Sequence, residues 1–265
     1  MKKIGFIGCG NMGGAIISGI LRSGLLTKEE IIGSEIIDDT RRKVREDFGI
    51  EVTTDNTKAI QSEIVVLSIK PQFYKVVIDQ IRPFINKDTI VLTIAPGFTL
   101  EKLAELFSPE QKIVRAMPNT PALIGEGMTA VCPNKLITEE ELAKVMDILK
   151  CCGKVEIVQE HMMDAVVAVS GSAPAYIYML IEAMADAAVL EGMPRAKAYQ
   201  FAAQAVEGSA KMVQETGKHP GELKDAVCSP SGTTIEAVRV LEEKGFRSNI
   251  MEAMRACADK SKRMG

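Results

Sequence analysis

The chain has 265 residues and a mass of 28.7 kDa, with 46% hydrophobic residues, 25% charged residues and a formal net charge of −3. High apolar content with low net charge excludes intrinsic disorder, and a folded chain of this mass buries roughly 70–75% of its unfolded surface, as one large domain or two moderate ones. A pI near 5.7 with scattered basic residues, no Trp, four Tyr and eight Phe excludes a dedicated nucleic-acid binder.

Met1-Lys2-Lys3 ahead of an apolar stretch has the outline of a signal peptide. The apolar run at 4–8 falls short of the roughly 7–15 residues such a segment needs, so none is expected. Residues 3–7 form a β-rich run and 12–23 a helical one. A second apolar run at 31–33 leads into a charged stretch at 38–47. Continuous apolar runs at 64–68 and 89–94 predict buried strands, and 113–117 predicts another, with helices at 74–81 and 99–106 between them. Strands alternating with helices predict βαβ units and a parallel-rich sheet. Thr138 and Glu141 form a capping box ahead of a helix at 138–149, and 155–158 predicts a last strand.

Beyond residue 160 the strand signals stop. Helices are predicted at 173–192, 194–217, 233–244 and 249–263. The first carries only Glu182, Asp186 and Glu191 as charges, so it is expected to be buried on nearly all sides. About a hundred residues of mostly apolar helix predict a subunit interface, most simply a two-fold dimer. The alternative is a helical layer on the parent sheet. No run of about 18 uncharged apolar residues is read, so no membrane span is expected.

Cys9, Cys132, Cys151, Cys152, Cys228 and Cys257 include no C-x-x-C spacing and read as reduced thiols of a cytoplasmic protein. His161 and His219 are the only histidines, so no His-rich metal site is expected. Glu182 and Asp186 lie at i, i+4 and read as partners of an arginine such as Arg195 or Arg239 rather than as metal ligands.

Gly8-Cys9-Gly10-Asn11-Met12-Gly13 fits G-x-G-x-x-G between a predicted strand and a predicted helix. In that context Gly8 makes the tight turn, Gly10 admits a pyrophosphate, and Gly13 lets helix and strand pack closely. Two readings of the next strand end stay open. Glu35 would bond a ribose 2′-hydroxyl and favour NAD. Ser34, with Arg41 or Arg42 behind it, would bond a 2′-phosphate and favour NADP. Three further loops stand at strand ends: Ser68-Ile69-Lys70-Pro71, Ala95-Pro96-Gly97 and Met117-Pro118-Asn119-Thr120-Pro121. Lys70 either approaches a ligand or is simply exposed. Asn119 either orients its loop or faces the nicotinamide amide.

Ser229-Pro230-Ser231-Gly232-Thr233-Thr234 precedes a helix, with Thr233 and Glu236 as a second capping box. Free N–H groups of residues 231–234 would cradle a small carboxylate, and the Thr234 hydroxyl would face a substrate nitrogen. The alternative is an ordinary helix start. Ser170-Gly171-Ser172-Ala173-Pro174-Ala175-Tyr176 opens the long apolar helix.

These segments together resemble the pyrroline-5-carboxylate reductase family over essentially the whole chain. The matching stretches are 4–13, 69–71, 117–121, 170–176 and 229–237, with His219-Pro220-Gly221-Glu222-Leu223-Lys224-Asp225 ahead of the last loop. The resemblance implies a Rossmann-like domain at 1–160 and an all-α dimerisation and substrate domain at 161–265. It implies NAD(P)H-dependent reduction of 1-pyrroline-5-carboxylate to L-proline, the last step of proline biosynthesis. NADPH is the expected cofactor, with NADH as an alternative. Homodimers assembling into decamers are implied, with no nucleic-acid or membrane partner.

The candidate catalytic residues are Thr234 and Lys70. Ser229, Ser231, Gly232, Thr233 and Glu160 are the substrate candidates. The cofactor candidates are Gly8, Cys9, Gly10, Asn11, Met12, Gly13, Ser34, Glu35, Asn56, Ser68, Lys70, Pro71, Ala95, Gly97 and Asn119. The chain departs from the family pattern at Pro96, at Ala173 (often Gly) and at Ser231 (usually Gly), where a side chain restricts the turn. Two competing readings are a β-hydroxyacid dehydrogenase, disfavoured because 173–190 contains no lysine, and an inert dinucleotide-binding scaffold.

Overall fold

The computed structural model describes residues 2–264, which form two compact units. One comprises the residues up to Ser172 together with the C-terminal stretch from Cys257; the other is Ala173–Ala256. The sequence draws its boundary at 160/161. The stretch 161–172 stays with the first unit because Met163 and Ala168 are buried there, Met163 beside Met117, Ala130 and Cys132.

The first unit is an eight-stranded sheet in the order β3-β2-β1-β4-β5-β6-β7-β8. Its strands are β1 (Ile4–Ile7), β2 (Ile31–Ser34), β3 (Glu51–Thr53), β4 (Ile64–Leu67), β5 (Ile90–Thr93), β6 (Lys112–Met117), β7 (Gly127–Pro133) and β8 (Gly153–Ile157). β1 to β6 are mutually parallel in the doubly wound order 3-2-1-4-5-6. β7 runs antiparallel to β6, and β8 parallel to β7.

The central strands are apolar on both faces because helices cover both. Ile4, Phe6, Ile64, Val66, Ile90, Leu92 and Val114 face one core. Ile7, Val65, Leu67, Val91 and Ile113 face the other. This is why they read as continuous apolar runs rather than alternating ones. β3 and β7 were not legible: Glu51-Val52-Thr53 is too short and polar, and β7 mixes Gly, Thr and Pro with its apolar residues.

The helices of this unit are α1 (Asn11–Ser23), α2 (Asp38–Phe48), α3 (Asn56–Ala59), α4 (Tyr74–Ile81), α5 (Leu100–Leu106), α6 (Glu139–Lys150) and α7 (Met163–Val166). The capping box of Thr138 and Glu141 forms as read. After α7 comes a π-turn at Val167–Gly171.

The second unit is all-helical: α8 (Ala173–Leu190), α9 (Arg195–Thr216), α10 (Pro220–Val227), α11 (Thr233–Glu243) and most of α12 (Phe246–Met264). α8 and α9 pack together. The residues they bury are alanines, Ala185, Ala198 and Ala202, whose size lets backbones approach. Burial of α8 on nearly all sides is not achieved within one protomer. Tyr178, Met179 and Leu190 are exposed. The run Glu160–Leu190 is long and apolar enough to cross a membrane by length and composition alone.

Candidate active site

β1 and β4 are neighbours in the sheet but not in sequence, so a crevice opens at their carboxyl ends. The glycine loop stands there. Gly8 has φ +88°, and its backbone is pressed against Ser68 and Ile69; a Cβ would lie 2.7 Å from the Ser68 carbonyl oxygen. Gly13 is closed in just as tightly: a Cβ would lie 2.6 Å from the Gly8 carbonyl oxygen and 2.8 Å from Ser68 Oγ. Gly10 differs, since a Cβ there meets nothing within 4 Å. It is the N-cap of α1 and supplies no side-chain cap, so the first N–H groups of the helix, Asn11 to Gly13, are left for an anion. Two glycines shape the loop and the third leaves room in front of it, which fits a dinucleotide pyrophosphate.

Ser68 Oγ donates to the Gly8 carbonyl at 2.5 Å, so its hydroxyl fastens the loop to the β4 end. Cys9 turns its thiol inward, where a Cβ on Gly33 would lie 2.7 Å from Sγ. Burial, reinforced by the nearby Glu35 charge, pushes the Cys9 thiol up to about 12. The Cys9 N–H is taken by Glu35 Oε2 at 3.0 Å.

That last bond gives Glu35 a structural task. Its other carboxylate oxygen accepts the Ile37 N–H at 2.9 Å, so Glu35 braces the glycine loop against the β2–α2 connection. Ser34 is engaged too. Its side chain is sealed in β2 at 1% exposure, and Oγ donates to Asn56 Oδ1 at 2.7 Å. Asn56 is also buried and donates to Gln80 Oε1 at 2.9 Å. Ser34 and Asn56 are therefore partners of one another.

The other strand-end loops do converge. A cleft of about 380 Å³ is lined by Met12, Ser68, Lys70, Pro71, Ala95 and Asn119, with Gly171 and Ser172 of the π-turn end. Lys70 is exposed at this cleft. Asn119 takes the positioning alternative: Nδ2 donates to the Ser170 carbonyl at 3.1 Å, and Oδ1 accepts the Met128 N–H at 2.9 Å. Gly97, at φ +83°, faces the C-terminal end of α12 instead, 3.1 Å from Met264 as measured from an added Cβ. Beneath the cleft, Tyr74 donates to the Leu67 carbonyl at 2.9 Å, shares a 2.7 Å bond with Thr93 Oγ1, and stacks on Phe98 with centroids 4.4 Å apart. A second cleft of about 470 Å³ lies on the other side of the loop, between α1 and α2. It is lined by Cys9, Gly10 and Asn11 with Thr40 and Lys43.

Glu160 is committed within the protein. Oε1 accepts from Arg115 at 2.5 Å and from the Leu100 N–H at 2.6 Å. It thus joins β6 to the start of α5 through one carboxylate oxygen. Arg115 was missed by sequence reasoning. The available signal was a lone charge inside the apolar run Lys-Ile-Val-Arg-Ala-Met.

In the second unit the 229–234 segment is a turn closed by the Gly232 N–H on the Ser229 carbonyl at 3.1 Å. Ser231 has φ +58°, the only positive φ of a non-glycine among the described residues. A Cβ on Gly232 would lie 2.3 Å from Ser229 Oγ. Gly232 is the N-cap of α11 and offers no side-chain cap. The expected Thr233–Glu236 capping box does not form, because Thr233 is already helical and Glu236 pairs with Arg239 at 2.8 Å. The N–H groups at the start of α11 are thus left uncapped. Asp186 pairs with Arg195 at 2.5 Å, while Arg239 is held by Glu236 and Glu243.

Residues 160–264 match the family model for pyrroline-5-carboxylate reductase dimerisation. Residues 3–97 match the model for NADP oxidoreductase, coenzyme F420-dependent. The pyrroline-5-carboxylate reductase of Escherichia coli K12 is 53% identical over 264 residues, covering 99% of this chain and 98% of the relative. That of Methanosarcina acetivorans is 42% identical, covering 100% and 98%. The crystal structure of the Plasmodium falciparum pyrroline carboxylate reductase with NADP bound superposes with a TM-score of 0.90 at 32% identity, covering 100% of this chain and 98% of that one. The glycine loop, the cleft and the uncapped α11 turn belong to a chain related to these enzymes from end to end: it is a member of the pyrroline-5-carboxylate reductase family.

Proposed function

We propose that this chain reduces 1-pyrroline-5-carboxylate to L-proline with NADPH, and accepts NADH as an alternative. The observation that carries this reading is the end-to-end likeness at 53% identity, which includes both the glycine loop and the 229–234 turn. The glycine loop and α1 hold the pyrophosphate, and the cleft lined by Met12, Lys70, Pro71, Ala95 and Asn119 holds the nicotinamide half. When bound, the nicotinamide supplies the hydride that reduces the imine carbon.

The remaining work belongs to the protein. N–H groups of Ser231 and Thr233 hold the substrate carboxylate, while the Gly232 N–H closes the turn on the Ser229 carbonyl and Ser229 supports it. The Thr234 hydroxyl donates to the ring nitrogen, where protonation makes the imine carbon more electrophilic. Lys70 places a positive charge at the cleft for an anionic ligand. Glu160 acts on the substrate side only through its brace to Arg115 and Leu100. No covalent nucleophile is needed, which suits a chain with two histidines.

Residues 161–265 carry dimerisation and substrate binding, and the exposed apolar face of α8 supports a homodimer as the cover it lacks. Assembly of dimers into a decamer and a cytoplasmic location complete the proposal; six unpaired cysteines support a reducing compartment.

Purified protein is given 1-pyrroline-5-carboxylate with NADPH and with NADH in parallel, following nicotinamide absorbance and proline formation. Turnover with proline as product is expected. Folded protein that binds the cofactor and turns over neither pairing sinks the reading. Thr234→Ala is expected to lower kcat/KM roughly 10–10³-fold, as loss of a donor aimed at developing charge does. Wild-type kcat/KM in that variant removes Thr234 from its role.

A further inference from the structure

We propose that Arg41 and Asp38 set the preference between NADPH and NADH, Arg41 as the cation for the 2′-phosphate and Asp38 as its built-in competitor. The inference rests on the cofactor reading above. In a doubly wound sheet the 2′ position of the adenosine ribose is read just after the second strand. In this chain the first two residues there are already occupied. The Ser34 O–H is donated to Asn56, and Glu35, whose oxygens accept the Cys9 and Ile37 N–H groups, is an anion with no donor to give a phosphate. The duty passes further along the connection.

Ile36 and Ile37 follow, 76% and 59% exposed, and carry no polar side chain. The next groups with charge are Asp38, Asp39, Arg41 and Arg42. The two arginines are not equivalent. Arg42 reaches away to Asp39, and both side chains lie in solvent. Arg41 is folded back under the connection with a side chain only 17% exposed. Its Nη1 donates to the Glu35 carbonyl at 2.9 Å and to the Ile36 carbonyl at 3.3 Å. Its Nη2 donates to the Asp38 carboxylate. One arm of the guanidinium is therefore fixed on the backbone that frames the ribose site. The other arm is held by a carboxylate that stands almost wholly in water, 86% exposed.

A guanidinium matches a phosphate through two parallel N–H donors. A 2′-phosphate competes with Asp38 for the Nη2 arm. That exchange is easy, because an exposed ion pair holds its partners weakly. It is not free, because the Asp38 charge stays nearby and opposes a group of about −2. A ribose 2′-hydroxyl has no such conflict. Arg41 thus favours NADPH, and Asp38 holds that preference down.

The test compares wild type, Arg41→Ala, Arg41→Lys and Asp38→Asn in two assays. The first is titration with adenosine 2′,5′-bisphosphate against ADP, which needs no substrate. The second is kcat/KM with NADPH and NADH. Arg41→Ala is expected to lower the bisphosphate-to-ADP affinity ratio and the NADPH-to-NADH ratio at least tenfold, roughly the worth of a charge-assisted hydrogen bond. Arg41→Lys is expected to fall between, and Asp38→Asn to raise both ratios about 3–10-fold through loss of one nearby charge. Equal losses for both members of each pair in Arg41→Ala overturn the assignment, as does an Asp38→Asn variant with unchanged ratios. Bisphosphate binding that follows the expected order in a protein that does not turn over the imine supports Arg41 and Asp38 while refuting the reductase reading.

Discussion

Arg115 Nη1 and Glu160 Oε1 meet at 2.5 Å, and the same carboxylate oxygen accepts the Leu100 N–H at 2.6 Å. The guanidinium lies on β6, 8% exposed, in register with Cys132 of β7. Burial, with the Glu160 charge adding to it, raises the Cys132 thiol above its ordinary value, which keeps that neighbour neutral. The pair ties three segments that meet behind the cleft: β6, the start of α5, and the stretch that runs on to Ser170.

Arg115→Met leaves the Glu160 carboxylate without its cation, and Glu160→Gln leaves a buried guanidinium without its anion. Glu160→Gln is expected to lose about 2–4 kcal/mol in urea unfolding, since it strands the buried guanidinium, and Arg115→Met less, since the carboxylate it strands is 35% exposed. The double variant is expected to lose less than the sum. Additive losses would show that the two residues act independently.

Gly10 and Gly13 are expected to separate cofactor binding from folding. Gly10→Ala places a methyl in open space at φ −69°, so its unfolding free energy should stay within about 0.5 kcal/mol of wild type. Its NADPH affinity should fall at least roughly tenfold, because the methyl enters the room the pyrophosphate uses. Gly13→Ala places a Cβ 2.6 Å from the Gly8 carbonyl and should lower stability and affinity together. Thermal melts with and without NADPH check both, and a Gly10→Ala variant that binds normally would relocate the pyrophosphate.

Ser231 at φ +58° stands where an L residue is strained and glycine is not. Ser231→Gly is expected to gain up to about 1 kcal/mol, the relieved strain being partly offset by the freer unfolded chain. Ser231→Val is expected to lose about 1–2 kcal/mol, because β-branching is least tolerated there. Chemical denaturation of the three proteins orders them Gly, Ser, Val if the turn in solution has this conformation.

The Cys9 thiol, pushed from 9.0 to about 12 by burial and by Glu35, remains protonated wherever the protein is handled. Iodoacetamide at pH 8 should leave it unmodified while the less buried Cys151 reacts. Between pH 9 and 12 the unfolded chain ionises this thiol and the folded one does not. The unfolded state then binds fewer protons, so stability falls as pH rises through that window and is fully present below it. Cys9→Ala should flatten that part of the pH–stability curve. An unchanged slope would place the thiol in contact with solvent.

The glycine loop was legible because its geometry is local: a short strand, a turn that needs φ +88° at Gly8, and a helix start are encoded within ten residues. The parallel strands were legible for a related reason, since burial on both faces writes itself as an unbroken apolar run. The uncapped turn at 229–234 was legible as a helix start. Its second capping box was not decidable, because whether Glu236 reaches back to the backbone or forward to Arg239 depends on a competition that spacing alone leaves even.

The remainder was settled by tertiary structure. Nothing in the order of residues says that Glu35 faces Cys9 rather than a ribose, that Ser34 and Asn56, 22 positions apart, satisfy each other, or that Arg115 finds Glu160 45 positions away. Buried polar groups must find partners, and the sheet order 3-2-1-4-5-6 determines which ones are within reach. The sequence by itself determined what kind of ligand this protein holds and where along the chain. The three-dimensional arrangement decided which partner each of these polar side chains takes, because strands distant in sequence become neighbours only in the folded sheet.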